Sequence, residues 1–387
     1  MSILSSGSRG RGFSMVEMLV SLAIGMLVLV FAMRVITGAE TSKRAALGGS
    51  DSMQTGMLAM FSISGDAQQA GFGLNDPILV GCDTRLTDSG GYALAPADRD
   101  GVTVRPLAPA VIESGGTGSD RITLYSGSAQ SGTGTLRLVS DYDGGTRLNV
   151  DRDPYGFAIG DVVAVAPENG DRKCALSQIS ATPATSYVMV AGGAGFRYNS
   201  GSLGGSYRGA ATRIFNLGPA AALSFHTWST ANGFLRLRAT DMAGAGAAPL
   251  TVADDIVAIK AQYGFDTRTN LASLVNPVLR VDRWSATIIN ADGDAVTGGA
   301  GDYAQIAALR IAVIARSKSR EMRKSAGGAC QSTQAAPVVF GTQEPQGVTA
   351  VPISVDVALP GDTTDWHCYR YRVFETIVPL RNTRWRP

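Results

Sequence analysis

The hydrophobic pattern divides the chain into one unbroken apolar run near the start and a long region of short alternating segments. The apolar run covers Phe13–Met33, 21 residues whose only charge is Glu17. Because an α-helix rises about 1.5 Å per residue, a run of this length can cross the roughly 30 Å of hydrocarbon in a membrane. The pattern therefore predicts a transmembrane helix over residues 13–33.

The same helix is predicted to continue beyond the membrane, over residues 34–75. No proline occurs between Phe13 and Asn75. Apolar residues recur at helical spacing, and the predicted packing face consists of Leu47, Met53, Met57, Met60 and Phe61. Methionines in this pattern indicate helix packing and not a metal or cofactor site. The glycine-rich stretch "GFGLNDP" at 71–77 is expected to end the helix near residue 70.

Residues 76–250 form a glycine-rich region that is expected to hold short strands. Apolar runs of four to seven residues, separated by glycine and polar turns, are typical of such strands. They lie at 119–127, 133–140, 159–170, 185–193, 221–228 and 233–240. The 47 glycines, well above the usual share of about 7%, agree with many turns.

Clearer strands are predicted in the C-terminal region, residues 251–387. One lies in 254–267, and its predicted common face consists of Val257, Ile259, Ala261, Tyr263 and Phe265. A second lies in 307–317, with Leu309, Ile311 and Val313 on one face, and a third, in 368–382, ends at Pro379. The predicted fold class is α+β, with a long N-terminal helix and a large β-rich head of short antiparallel strands.

The charges indicate how the chain is oriented and what it does not bind. The formal net charge is only +2, so no global basic field attracts nucleic acid. Arg9 and Arg11 precede the apolar run, and the positive-inside rule places that end in the cytoplasm and the head outside. A cleaved signal peptide ending near Ala39, or a plain signal anchor, are alternatives. Neither gives Glu17 a role, although an acid at the edge of hydrocarbon is costly unless it is paired.

The segment "RGFSMVEMLVSLAIGMLVLV" resembles the class III leader of type IV prepilins and pseudopilins. Gly12, Phe13 and Glu17 match its glycine, hydrophobic residue and glutamate at the fifth mature position. The resemblance implies that a prepilin peptidase cleaves between Gly12 and Phe13, which leaves 1–12 as the leader peptide, and methylates the new amine of Phe13. That amine would give Glu17 a partner, because a buried carboxylate can pair with the amine of an adjacent subunit in low dielectric.

The later segments resemble the PilW group of minor pilins, which is related to the J-type minor pseudopilins of type II secretion. The matching stretches are "IVAIKAQYGFDT", "IAALRIAVIARS", "RYRVFETIVPLRN" and "IGDVVAVAPENGDRKC". The resemblance implies a minor pilin that helps to prime and cap a type IV pilus. Its partners would be other minor pilins, the major pilin, the peptidase and the inner-membrane assembly platform. It would reside in the inner membrane with a periplasmic head, and then in the pilus.

The four cysteines are expected to form disulfides, because the head faces an oxidising compartment. They permit three connectivities. Cys82 follows the helix and Cys174 follows a predicted strand, whereas Cys330 and Cys368 flank the link to the terminal strand. These positions favour Cys82 with Cys174 and Cys330 with Cys368.

No catalytic function is expected. The sequence contains two histidines, His226 and His367, and no H-E-x-x-H, G-x-S-x-G or P-loop motif. A signal-anchored periplasmic hydrolase therefore lacks a candidate nucleophile and base. Acidic stretches at 140–145, 150–156 and 290–299 could supply oxygen ligands to calcium, but none completes an EF-hand loop, so ordinary Asp-Gly turns are favoured. We expect no cofactor and no metal.

Overall fold

The fold is built on one long helix and three β-sheets. The structure, a computed structural model, describes residues 14–74, 76–128, 134–169, 173–193, 195–269, 278–321, 329–330 and 332–383. The helix α1 spans Met15–Gln69, and a short helix α2 spans Ala300–Ala304. The α+β architecture expected from the sequence is confirmed.

Helix α1 runs for 55 residues, roughly 80 Å, without interruption. Ser14 caps its N-terminus, where the Ser14 side chain accepts from the backbone N–H of Val16. At its C-terminus the chain turns away at Gly71, whose φ of 82° is in the left-handed region that favours glycine. The predicted end near residue 70 is confirmed.

The C-terminal sheet supports α1. Its strands, in spatial order, are β17 (Arg283–Ser285), β16 (Ile256–Phe265), β18 (Ile306–Arg316) and β21 (Tyr371–Pro379). All neighbours are antiparallel, with Ala261 opposite Ile311 and Val313 opposite Phe374. The face away from α1 is covered in part by the ribbon of β19 (Val338–Val339) and β20 (Ile353–Ser354). Strands β16 and β18 are consequently buried on both faces.

A five-stranded sheet shares the main core with α1 and the C-terminal sheet. Its strands, in spatial order, are β15 (Leu250–Ala253), β14 (Phe234–Ala239), β13 (Ser224–Ala231), β6 (Arg121–Ser126) and β5 (Ala110–Glu113). Strands β6 and β13 pair directly although about 100 residues separate them in sequence. The intervening residues therefore form an insertion between two neighbouring strands.

The insertion, residues 127–223, forms a second hydrophobic core on one face of its sheet, while the other face packs into the main core. Its strands are β7 (Thr135–Arg137), β8 (Arg147–Asn149), β9 (Asp161–Pro167), β10 (Lys173–Gln178), β11 (Tyr187–Met189) and β12 (Thr212–Pro219). Four of them, β7, β9, β10 and β12, form a six-stranded sheet with two strands from before the insertion, β1 (Cys82–Arg85) and β4 (Pro106–Leu107), and β8 pairs with β11 in a separate ribbon. A small ribbon of β2 (Ala97–Arg99) and β3 (Val102–Val104) lies outside the large sheets.

Small residues, not the methionines, form the packing face of α1. The buried stripe consists of Ser52, Gly56, Ala59, Ile63 and Ala67. The predicted face is therefore wrong at Met53, Met57 and Phe61, which are exposed. It is confirmed at Met60, which packs partly buried against the main core, while the side chain of Leu47 lies outside the described part. The reason is steric, because a helix that lies close over a sheet needs small side chains at the contact.

The predicted common face of β16 is also wrong at one residue. Ile259, Ala261, Tyr263 and Phe265 share the main core, but Val257 belongs to the smaller core on the other side of the sheet. The register shifts between Ile256 and Ala258, and such a β-bulge exchanges the two faces. The predicted face of β18 is confirmed, because Leu309, Ile311 and Val313 all lie in the main core.

Gly56 provides a test of the helix-to-sheet contact. A Cβ built on Gly56 would lie 2.1 Å from Cε2 of Phe374 in β21, whereas a Cβ on Gly65 would meet nothing within 4 Å. We expect Gly56→Ala to destabilise the protein by about 1–3 kcal/mol through overpacking. Gly65→Ala should stabilise the helix by about 0.5–1 kcal/mol. Thermal unfolding of the full chain in detergent measures both, and a Gly56→Ala variant as stable as Gly65→Ala would contradict the contact.

Candidate functional site

The first half of α1 exposes apolar side chains in every direction. Its segment Met15–Glu40 has a mean hydropathy of 2.5, and its most apolar stretch is not buried at all against the rest of the chain. Met18, Leu19 and Phe31, which are spread around the circumference of the helix at 100° per residue, are each about two-thirds exposed or more. Water disfavours so large an apolar surface, so this segment requires lipid or other apolar helices around it. Its length and composition suit a membrane span.

Glu17 lies in the first turn of α1, on this bare segment. An acid there interacts favourably with the positive end of the helix dipole. The backbone N–H of Glu17 donates to Ser14 O at 2.9 Å, and Ser21 Oγ donates to Glu17 O at 2.6 Å. Within the part of the chain that the structure describes, the Glu17 carboxylate has no hydrogen-bond or ion-pair partner. Gly12 and Phe13, the predicted cleavage and methylation positions, lie outside the described residues.

The other end of α1 is held to the head by a cluster of polar and charged side chains, which we call the His226 clamp. It consists of Asp66, Ser224, His226, Trp228 and Asp241. Nδ1 of His226 lies 2.7 Å from Oδ2 of Asp66 on α1, and its Nε2 lies 2.8 Å from Oδ1 of Asp241. Trp228 Nε1 also donates to Asp66 Oδ2, at 2.7 Å. Strand β13 thus holds α1 through two hydrogen-bond donors, His226 and Trp228, on the carboxylate of Asp66.

The charge state of the His226 imidazole determines whether the clamp acts as an ionic contact or as a base. Burial alone lowers the pKa of His226, but the hydrogen bonds to Asp241 and Asp66 outweigh it and raise that pKa to about 9. The same imidazolium lowers the pKa of Asp241 against the opposing effect of burial. His226 is therefore a cation between two carboxylates at neutral pH, and it contributes a charge-assisted contact between helix and head.

The clamp also contains an arrangement that sequence reasoning missed. Ser224 Oγ lies 3.1 Å from Nε2 of His226, and Asp66 lies on Nδ1, which is the order of a nucleophile, base and orienting acid. A protonated imidazole cannot accept the proton of Ser224, and Asp241 occupies the same nitrogen. The arrangement therefore functions as an ionic contact and does not supply a general base. These residues come together only because β13 packs against α1, and their spacing in the sequence does not indicate this contact.

The two disulfides are those predicted. Cys82 is bonded to Cys174 and Cys330 to Cys368. The first joins β1, which follows the exit of α1, to β10 of the insertion, and the second lies directly before β21. The bridges close loops of 92 and 38 residues. In the chain-entropy model such loops stabilise the fold by roughly 4–5 kcal/mol each.

Carboxylates in the acidic stretches considered for calcium accept backbone hydrogen bonds. Asp292 Oδ1 accepts from Asp294 N at 3.0 Å, and Asp294 Oδ1 accepts from Val296 N at 2.6 Å. Asp141 accepts from Gly209 N at 2.8 Å. No group of three or more His, Cys, Asp or Glu side chains suited to a metal ion occurs among the described residues. Asp365 caps a short turn by accepting from His367 N at 3.0 Å, and the His367 ring lies 2.6 Å from Asp365 Oδ1 through Nδ1 and stacks on Trp366.

Two family models match the chain. The model described as Type IV Pilus-assembly protein W matches residues 226–382, and the model described as the prokaryotic N-terminal methylation motif matches residues 7–33. Residues 226–382 are thus similar to PilW proteins, behind a prepilin methylation motif at residues 7–33. This finding confirms the resemblance drawn from the sequence. An apolar helix with this motif is typical of a membrane-anchored pilin.

The other two comparisons provide less information about the family. The search of curated protein sequences gives no match. Among solved structures, the type IV-like pilin TTHA1219 from Thermus thermophilus is similar over 86% of this chain and 96% of its own, at 13% identity and a TM-score of 0.29.

The range that the PilW model matches contains most of the surfaces that hold α1. This range includes β16, β18 and β21, and it begins at His226 of the clamp. The insertion lies outside both matched ranges. Most of the contacts between α1 and the head thus lie in the part of the chain that the family model matches.

The raised pKa of His226 predicts a stability that depends on pH. The clamp's contribution is fully present below the unfolded pKa of 6.5, and it is lost as the pH rises through the folded pKa of about 9. The free energy of unfolding should therefore fall by about 3 kcal/mol between pH 6 and pH 10.

Denaturant unfolding of the full chain in detergent at a series of pH values measures this loss. His226→Gln should remove the pH dependence, while His367→Gln, outside the clamp, should keep it. An equal slope in wild type and His226→Gln would contradict the assignment of the cation.

Proposed function

We propose that this chain is a minor pilin that helps to prime the assembly of a type IV pilus and to cap it. The observation that carries the proposal is the division of α1 into a bare apolar half with one acid and a half fixed to a PilW domain. A subunit of this form can add its bare half to a bundle of similar helices while its head remains outside the bundle. Other minor pilins and the major pilin are the proposed partners.

Processing by a prepilin peptidase is the first step of the proposal. The methylation-motif match at 7–33 includes Gly12 and Phe13, which supports cleavage between them and methylation of the Phe13 amine. The remaining helix stays in the inner membrane, and the head, with its two disulfides, lies in the periplasm.

The charge of Glu17 gives the helix bundle its register. A carboxylate and an amine neutralise each other in low dielectric, but either one alone in the bundle is costly. A neighbouring helix that slides along α1 would separate the two charges, so one axial position is favoured. The exposed carboxylate on the first turn of α1 supports this role.

The alternatives are less well supported. A J-type pseudopilin of type II secretion would use the same kind of N-terminal helix. The matched model is described as a pilus-assembly protein, which favours a pilus. A periplasmic hydrolase would need a free base, whereas His226 is held as a cation between Asp66 and Asp241.

Cleavage after Gly12 predicts a defined mature N-terminus. Mass spectrometry of protein purified from membranes of pilus-forming cells should find a chain that begins at methylated Phe13. A chain that begins near Glu40 would instead show removal of a signal peptide.

Glu17→Ala is expected to impair assembly and not membrane insertion, because removing a charge makes entry into hydrocarbon easier. Asp51→Ala is the matched control, since Asp51 is an exposed acid on α1 outside the membrane-length segment. The measurements are the amount of chain in the membrane fraction, the number of pili and co-purification with other pilins. Unchanged pili and unchanged co-purification in Glu17→Ala would refute the pairing.

A further inference from the structure

The C-terminal sheet ends in a long strand with no neighbour on its outer side. Strand β21 has nine residues and pairs only with β18. Among the described strands of the three large sheets, the other outer strands have two to four residues. Proteins commonly protect sheet edges by keeping outer strands short, so β21 is an exception within its own fold.

The register shows which backbone groups of β21 are unpaired. Ser317 N donates to Arg370 O at 2.8 Å, and Leu380 N donates to Ala307 O at 2.9 Å. Hydrogen-bonded positions alternate along an antiparallel pair, so even-numbered residues of β21 face β18. The N–H and C=O groups of Tyr371, Val373, Glu375 and Ile377 therefore point outward. No described residue bonds to these backbone groups.

The charged side chains of β21 are drawn away from its edge. The Glu375 carboxylate accepts from Arg310 at 3.0 Å and from Phe340 N at 2.8 Å, on the inner side of the sheet. The Arg372 guanidinium lies beside α1, 3.4 Å from where a Cβ on Gly49 would be. Charges that project over an edge normally prevent strand addition, and here they are held on the two faces. Because Pro379 lacks an N–H, the unpaired backbone groups along the outer edge extend only over residues 371–377.

The unpaired backbone donors and acceptors of β21 can form hydrogen bonds with the backbone of another extended strand. We propose that the outer edge of β21 pairs with an extended strand of a different pilin subunit. The inference rests on the proposed function and names the partner surface of the head. The edge adjoins α1, which lies over β18 and β21, so a subunit that docks beside α1 also reaches this edge.

A second copy of the chain is a poor fit for antiparallel pairing along the same edge. Strand β21 runs in the direction of α1, with Arg372 beside Gly49, Phe374 beside Gly56 and Asn382 beside Ala70. Two copies anchored in one membrane have parallel helices, and hence parallel β21 strands. Antiparallel self-pairing would place the two anchors in opposite directions.

Crosslinking in cells that assemble the pilus tests the proposal with the full chain. A photo-crosslinking amino acid replaces Arg372, next to the edge, or Leu250 on the short edge strand β15 as a control. We expect adducts with a different protein that carries a prepilin motif, from position 372 only. Val373→Pro removes an outward N–H without touching the β18 ladder, and Val373→Ala keeps that N–H. The proline should lower the adduct yield by about tenfold and the alanine by less than about twofold.

Several results would overturn the proposal. They are adducts only with a second copy, adducts only with a protein that is not a pilin, equal yields in the proline and alanine variants, or no adduct from position 372. Ile377→Pro against Ile377→Ala repeats the test, and unfolding temperatures of all four variants show that the head remains folded. If Glu17→Ala abolishes pili while the adduct survives Val373→Pro, the edge proposal fails and the proposed function stands. If Glu17→Ala changes neither pili nor co-purification, the proposed function fails whatever the adducts show.

Discussion

A large apolar surface on one helix is the constraint on which the rest of this structure depends. Water disfavours such a surface, and α1 covers it differently in its two halves. The segment Met15–Glu40 is left bare for lipid or other helices, while a stripe of small residues around Gly56 and Ala59 lies against the C-terminal sheet. Because the helix is continuous, the position that the bare half takes in a bundle also positions the head.

The head is fixed to α1 near the far end of the helix, so little independent motion is expected between them. The His226 clamp joins β13 to Asp66. At the C-terminal end of β6, Gly71 N donates to Tyr125 O at 2.8 Å and Phe72 O accepts from Gly127 N at 2.7 Å. The insertion starts at this same end, which is opposite to the membrane segment. One face of its sheet forms a core of its own, the other face joins the main core, and the insertion lies outside the PilW match.

The sequence predicts the features that depend on local pattern. The end of α1, the strand that closes at Pro379 and the two disulfides follow from glycine, proline and cysteine positions, and all are confirmed. The packing face of α1 was mispredicted because hydrophobicity favours methionine, whereas close approach to Phe374 favours glycine. The clamp was missed because Asp66 and His226 lie 160 residues apart and meet only through the sheet. A one-residue bulge, which no periodicity reveals, moved Val257 to the other face.

The central claim is that Glu17 sets the axial position of α1 beside a neighbouring pilin helix. Disulfide crosslinking tests it most directly, with one cysteine at the exposed Leu22 and a series of single cysteines along the helix of a partner pilin, expressed together in membranes. Each pair is compared in the wild-type and Glu17→Ala backgrounds. The account predicts one sharp maximum of crosslinking with Glu17 present and a broad or absent maximum without it. The same sharp maximum in both backgrounds would contradict it.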